Sequence, residues 1–363
     1  MLDFRLDEEQ KMLTDTIARY ARERVRKVYR DAEEEGKIPD NVLQAGWEIG
    51  LLPTAIPEAY GGFGEYSAVT SVLAIEEFAY GDLAITLAIM TPNLVAIPIL
   101  LCGTTPQKDK YLPEFSGESP PQMTAALTEP VVRFNPYRLD TTAQLEGDEY
   151  ILNGTKTVVP LADEAEMILV YAQEAGATQA FLVPTHTPGL VVSNRIKLMG
   201  INALPTNVIT MEACHIPVEN RLGGLNGIDF SLILNHSRVA LAAAAVGVAR
   251  AGFEYARDYA KQRVQFGEPI AHRQSIAFML ADMATEIDEV RLLVWEAAWL
   301  LDHDKNATAE ATIMKQQADR MVVQVADRAL QILGGYGYIR EYPVELWLRN
   351  ARGFTSFEGL AIV

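Results

Sequence analysis

A few residue groups in this 363-residue sequence carry side chains suited to chemistry. Arg263 and Phe266 lie in Arg263-Val264-Gln265-Phe266-Gly267, just after a helical face made by Phe253, Ala256 and Tyr259. A guanidinium offers paired, charge-assisted donors that suit phosphate oxygens, whereas the plainer reading is a surface arginine beside a packing phenylalanine. Gly334-Gly335 closes an apolar-periodic run; such a pair stops a helix and also lets backbone N–H groups approach a phosphate-bearing ligand. Glu358 lies in Ser356-Phe357-Glu358-Gly359, where a lone carboxylate is ordinarily solvated. In an apolar pocket the same group is pushed toward neutral pKa and serves as a base. The five histidines are scattered and Cys214-His215 has no further ligands beside it, so no metal site is expected. Gly61-Gly62-Phe63-Gly64 and Gly223-Gly224-Leu225-Asn226-Gly227 sit outside a strand-to-helix context and read as turns. Asp302-His303-Asp304 reads as a solvated helix end.

The elements that must position these residues follow from hydrophobic period. Residues 1–121 read as an all-helical domain, with Met12, Ile17, Ala21 and Val25 at near-helical spacing, Asp40 as a cap, and a second run from Ala68 to Phe78. Residues 122–225 change to short β-rich runs, among them Glu149 to Leu152, Met167 to Ala172, Ala180 to Val183 and Asn207 to Met211. Turns are expected at Gly147-Asp148 and Asn153-Gly154, giving an antiparallel sheet or small barrel. Residues 226–363 return to helix. One stripe runs through Ile276, Met279, Leu280, Met283, Ile287, Val290, Val294, Ala298 and Leu301, and another through Met314, Ala318, Met321, Val325, Ala329 and Leu333. Val239 to Ala249 is apolar nearly all round and belongs at the centre of a bundle. The class is α+β, in the order helices, sheet, helices.

Composition narrows the function. A formal charge of −17 argues against nucleic acid and anionic membrane as partners, which call for clustered Lys and Arg. Two distant cysteines suit a reducing compartment, and Met1 to Gln10, with four acidic residues, lacks the features of a targeting peptide, so a cytoplasmic location is expected. The apolar stretch Ala84 to Cys102 is interrupted by Pro92, Asn93 and Pro98, and reads as core helices rather than a membrane span.

Seven short motifs occur in order along the chain. They are Pro57-Glu58-Ala59-Tyr60-Gly61-Gly62-Phe63-Gly64; Leu127-Thr128-Glu129-Pro130; Tyr150-Ile151-Leu152-Asn153-Gly154-Thr155-Lys156; Arg263-Val264-Gln265-Phe266-Gly267-Glu268-Pro269-Ile270; Leu280-Ala281-Asp282-Met283; Gln331-Ile332-Leu333-Gly334-Gly335-Tyr336-Gly337-Tyr338; and Glu341-Tyr342-Pro343-Val344-Glu345. With them the sequence resembles the acyl-CoA dehydrogenases over essentially its whole length. The resemblance implies a helical domain, a β-barrel-like domain and a C-terminal four-helix bundle, with FAD as cofactor. It places Arg263 on the FAD pyrophosphate and Phe266 against the cofactor across a subunit boundary, with Gln274, Gln331, Gly334 and Gly335 completing that contact set. It assigns Thr128 to the cofactor, and Arg238, Asn235 and Gly359 to the substrate side.

It also makes Glu358 the base that removes the α-proton of an acyl-CoA thioester while hydride leaves the β-carbon for the flavin. Some relatives carry the base one residue before the arginine matched by Arg238; here that residue is Ser237, which leaves Glu358 as the matched carboxylate. Several positions depart from the family pattern. Val131-Val132-Arg133-Phe134-Asn135 replaces a glycine-serine turn, Val158-Val159-Pro160 replaces an indole and a hydroxyl donor, and Leu360 replaces a threonine. The losses fall on contacts to the flavin ring. Two functions are therefore expected from the resemblance: an acyl-CoA dehydrogenase that passes electrons to an electron-transfer-flavoprotein-like carrier, as a homodimer or tetramer; or a reduced partner subunit in a heteromer, completing a related subunit's FAD site.

Overall fold

The structure, a computed structural model, describes residues 5–363, so whatever in the N-terminal reading rests on residues 1–4 lies outside the described residues. Helices come first: α1 (Glu8–Tyr20), α2 (Arg26–Glu35), α3 (Asp40–Trp47), α4 (Leu51–Ala55), α5 (Ala68–Gly81), α6 (Leu83–Ile89), α7 (Asn93–Cys102) and α8 (Thr105–Tyr111). Seven strands follow: β1 (Met123–Ala126), β2 (Thr142–Glu146), β3 (Glu149–Pro160), β4 (Met167–Glu174), β5 (Ala177–Pro184), β6 (Leu190–Val192) and β7 (Thr206–Pro217). The chain then enters α9 (Phe230–Gln262), turns through a hairpin of β8 (Val264–Gln265) and β9 (Glu268–Pro269), and ends in α10 (Gln274–Asp302), α11 (Thr308–Leu333) and α12 (Val344–Gly353).

Local chemistry accounts for many boundaries. Asp7 and Gln10 form a capping box at the start of α1. Asp40 is not the cap of α3: Pro39 holds that place, and Asp40 lies in the first turn, where a carboxylate still complements the helix dipole. Asp302 is not merely a solvated helix end. Its carboxylate receives the Ser67 hydroxyl at 2.9 Å and the Ala68 and Val69 N–H groups at 2.5 and 3.1 Å, so the end of α10 caps the start of α5.

The strands form one curled sheet in the order β1-β4-β2-β3-β7-β6, with β5 on the other side of β4. Most pairings are antiparallel; β1 lies parallel to β4 from Met123↔Met167 to Ala126↔Val170, and Thr142 of β2 meets Gln173 of β4 in the same sense. Gly147-Asp148 does turn the chain between β2 and β3, with Gly147 at φ +65. Asn153-Gly154 does not. It lies inside β3 at a register shift against β7, where Gly154 has φ +147 and a Cβ would press within 2.6 Å of Thr141. The glycine is needed for a bulge, not a turn.

The first and last helical segments share one core. The stretch Val239 to Ala249 is buried throughout, and α5, α10 and α11 pack along α9. Arg250 of α9 pairs with Glu76 and Glu77 of α5 at 2.8 and 2.6 Å, and Arg291 of α10 pairs with Glu76 at 3.0 Å. Length and composition alone would let α9 cross a membrane, but 89% of its most apolar window is buried inside the protein, as befits a central core helix. The α11 stripe is buried along its length. On α10, full burial begins at Met283, while Ile276, Met279 and Leu280 are partly buried and pack against the edge of the same core.

Candidate functional site

Glu358 sits on the loop after α12 and faces the first turns of α9. Its carbonyl accepts the Thr128 hydroxyl at 3.1 Å, which ties the loop to the segment after β1. One carboxylate oxygen, Oε1, is 3.5 Å from Arg238 Nε; the other, Oε2, is buried with no hydrogen-bond partner. Arg238 also donates to Thr312 Oγ1 at 3.1 Å, and Asn235 Nδ2 to Thr308 Oγ1 at 3.0 Å, so α11 orients both. Asn235 Oδ1, Ser237 Oγ and Arg238 Nε are buried and unpartnered too. Buried polar atoms left unmatched are destabilising, and a group of them at one place is the mark of a site that a ligand completes. Burial raises the Asp319 carboxyl, Lys315 opposes that rise, and the nearby charge of Glu358 adds to it. Gly359 has φ +70, and a Cβ there would fall 2.9 Å from the Leu127 side chain, so the position requires glycine.

The backbone beneath Thr128 is fixed by a buried ion pair absent from the sequence-based site set. Lys156 Nζ lies 2.8 Å from Glu129 Oε1 and donates to the Leu127 carbonyl at 3.0 Å. Glu129 also receives the Asp140 and Thr141 N–H groups at 2.7 and 2.8 Å. Burial alone would raise the Glu129 carboxyl, but Lys156 and these donors hold it below its usual range. Both residues stand in motifs quoted above, but their pairing spans 27 residues and no local spacing announces it.

Thr128 opens onto a cavity of about 260 Å³ that is also lined by Val158, Ile201, Asn350, Ser356 and Leu360. Val158 adopts φ +55 at a register shift between Lys156 and Val159, a conformation that is costly for a β-branched residue. Pro160 brings no N–H, and its carbonyl is taken by the Thr124 hydroxyl at 2.7 Å. The donors lost at Pro160 and Leu360 have a counterpart: Asn350 Nδ2 and Arg349 Nη2 are buried and unpartnered, and both residues line this cavity. A flat ring bearing carbonyl and imine acceptors suits such a cavity, so the residues present fit a flavin ring. Asn350 carried no motif signal, since its place depends on how α12 packs; its Oδ1 is already used by the Ile201 N–H at 2.8 Å.

The remaining predicted residues gather elsewhere. Arg263 caps the far end of α9, and Phe266 tips the β8–β9 hairpin at φ +55 with 93% of its surface exposed. Arg263 and Phe266 line an open groove of about 660 Å³ with Arg273, Gly334, Gly335 and Tyr336. Gln274 is the first residue of α10 and Gln331 lies exposed in the last turn of α11. Arg263 stacks over Tyr336 at 5.3 Å and Arg273 over Phe266 at 5.7 Å. Two cationic forks, aromatic faces and backbone-accessible glycines suit an aromatic nucleotide with its phosphates. This groove and the Glu358 site stand at opposite ends of α9. From Arg238 to Arg263 is 25 residues, about 37 Å at 1.5 Å per residue.

The predicted set is thus divided: Glu358, Gly359, Thr128, Arg238 and Asn235 gather in one place, and Arg263, Phe266, Gly334 and Gly335 line the groove, with Gln274 and Gln331 next to lining residues in sequence but outside the lining itself. The chain as a whole is similar to known proteins of one family. Family models described as acyl-CoA dehydrogenase N-terminal, middle and C-terminal domains match residues 7–118, 124–214 and 229–361. The chain is 36% identical over 366 residues to the caffeyl-CoA reductase-Etf complex subunit CarC of Acetobacterium woodii, covering 98% of this chain and 96% of that one. It is 36% identical over 362 residues to an acyl-CoA dehydrogenase of Bacillus subtilis, covering 97% and 94%. The solved butyryl-CoA dehydrogenase from Megasphaera elsdenii superposes with a TM-score of 0.90 at 31% identity, over 99% of this chain and 96% of that one.

Proposed function

The chain belongs to the acyl-CoA dehydrogenase family, and from that premise we propose that Glu358 removes the α-proton of an acyl-CoA thioester. It is an oxidoreductase of the acyl-CoA dehydrogenase type with FAD as its cofactor. The observation that carries the assignment of the base is the free, buried Oε2 of Glu358 beside Arg238. Arg238 orients the carboxylate, Oε2 receives the proton, and the Gly359 N–H stands ready for the negative charge that grows on the thioester oxygen. Bound in the cavity below Thr128, FAD supplies the acceptor for the hydride that leaves the β-carbon. Thr128 and Asn350, which line that cavity, would hold its ring.

The separation of the two residue sets supports an oligomer in which the groove at Arg263 serves the cofactor of a second chain. CarC is named as a subunit of a complex with an Etf, and a carrier of that kind is proposed as the electron partner here. A second reading, a partner subunit without catalysis of its own, is favoured by Pro160, which lacks a donor where the family pattern has one. The two differ in one experiment. Glu358→Gln should keep its FAD and its affinity for acyl-CoA while the rate at which acyl-CoA bleaches the flavin drops by about 10²- to 10⁴-fold. Bleaching at the parental rate rejects Glu358 as base; a parental protein that never bleaches favours the partner subunit.

A further inference from the structure

Beside Gly359 a recess opens between Leu94 of α7, Leu127 after β1, and Phe230, Ile233 and Leu234 of α9. No charged side chain lines it, and its polar side-chain atoms are the hydroxyls of Ser237 and Tyr171. Phe230, Ile233, Leu234 and Ser237 follow the spacing of a single helix face, so one hydroxyl ends an otherwise apolar stripe of α9. The free volume is about 20 Å³, room for one water-sized group.

Ser237 differs from other helical hydroxyls of this protein. Ser71, Thr86 and Thr312 each donate to the carbonyl four residues back, at 2.9, 2.6 and 2.7 Å, which satisfies the hydroxyl within its own helix. Ser237 Oγ makes no such bond: the residue is 4% exposed and the hydroxyl has no partner. A buried hydroxyl left unpaired is destabilising, and alanine would serve the packing equally well. The hydroxyl is therefore a contact that a ligand completes. A carboxylate or an ammonium on that ligand would be buried here without a counter-ion, which costs far more than one hydrogen bond returns. An uncharged hydroxyl fits the space, and it can both give a hydrogen bond to Ser237 and take one from it.

We propose that Ser237 selects an acyl group whose outer end is a hydroxyl in place of a methyl, so that the substrates of this chain are short hydroxyacyl-CoA esters. This rests on the dehydrogenase reading above, which sets the α-carbon against Glu358 and runs the acyl group past Gly359 into the recess. Leu127, Ile233 and Leu234 enclose its carbons, and Ser237 Oγ meets its hydroxyl.

Calorimetric titration of the purified holoprotein with two isosteric pairs tests this: 3-hydroxypropionyl- against butyryl-CoA, and 4-hydroxybutyryl- against pentanoyl-CoA. In the pair whose outer group reaches the recess, the hydroxyl-bearing ester should bind about ten-fold more tightly, the effect of one buried hydrogen bond made and not lost. In Ser237→Ala the helix stripe is wholly apolar, and the order should reverse in favour of the methyl-bearing ester. That substitution removes a hydroxyl that makes no bond and adds a better helix former, so the variant folds at least as well as the parent. A parent with less than a two-fold preference for the hydroxyl in both pairs overturns the proposal, as does a preference that survives Ser237→Ala. Flavin absorbance reads the dehydrogenase assignment separately. A parent that prefers the hydroxyl ester but never bleaches sinks Glu358 as base and leaves the selection standing. Failure of all four esters to bind removes the acyl-CoA reading and the selection together.

Discussion

At the scale of single residues, the site depends on groups that never touch substrate. Lys156 and Glu129 are buried together beneath Thr128, and Thr128 holds Glu358. Removing one partner leaves a charge in the interior, a loss of about 3–5 kcal/mol. Lys156→Met should therefore lower the unfolding free energy from urea titration by that amount and release FAD, since Thr128 loses its support; an unchanged midpoint contradicts the role given to the pair. His236 makes a second prediction. Burial depresses its pKa from the ordinary 6.5 to about 4, partly offset by the Val363 carbonyl. Between pH 6.5 and 4 the unfolded chain binds a proton that the folded chain refuses, so stability falls as pH drops through that window, by about 3 kcal/mol in all. Asp82, raised to about 6 by burial, acts in the opposite sense over part of the same range. The measurement is therefore a difference: His236→Asn should lose about 3 kcal/mol less than the parent between pH 7 and 4, and parallel curves reject the argument.

At the scale of elements, β3 bends where it meets the proposed flavin ring. Val158 at φ +55 is held there by the register shift against β7. Asn tolerates that backbone far better than a β-branched residue, so Val158→Asn should stabilise the protein by about 1 kcal/mol in thermal or urea unfolding. A loss of similar size means that packing by Val158 outweighs the strain. The long helices were legible in the sequence because burial writes a 3.6-residue period into α10 and α11 and an all-round apolar run into α9. Residues 153 and 154 misled because Asn-Gly is a turn signal taken locally, whereas Gly154 is needed for its closeness to Thr141. Asn350 and the Lys156–Glu129 pair have partners far off in sequence, and no local spacing announces them.

At the scale of the whole molecule, the proposed assignment gives the chain half of one cofactor site and half of another. The groove at Arg263 is open, Phe266 and Tyr338 are 93 and 87% exposed, and Phe278 on α10 is 60% exposed. Together they favour a face completed by a second chain. The seven motifs carried the family, but the roughly 37 Å from Arg238 to Arg263 along α9 became visible only once α9 was seen as a single helix. That separation ties cofactor retention to assembly, and it makes one measurement decisive. The chain purified alone should sediment as a dimer or tetramer, carry close to one FAD per chain, and lose its flavin absorbance when an acyl-CoA is added without oxygen. A colourless protein that turns yellow only when produced together with a related dehydrogenase subunit would contradict the account.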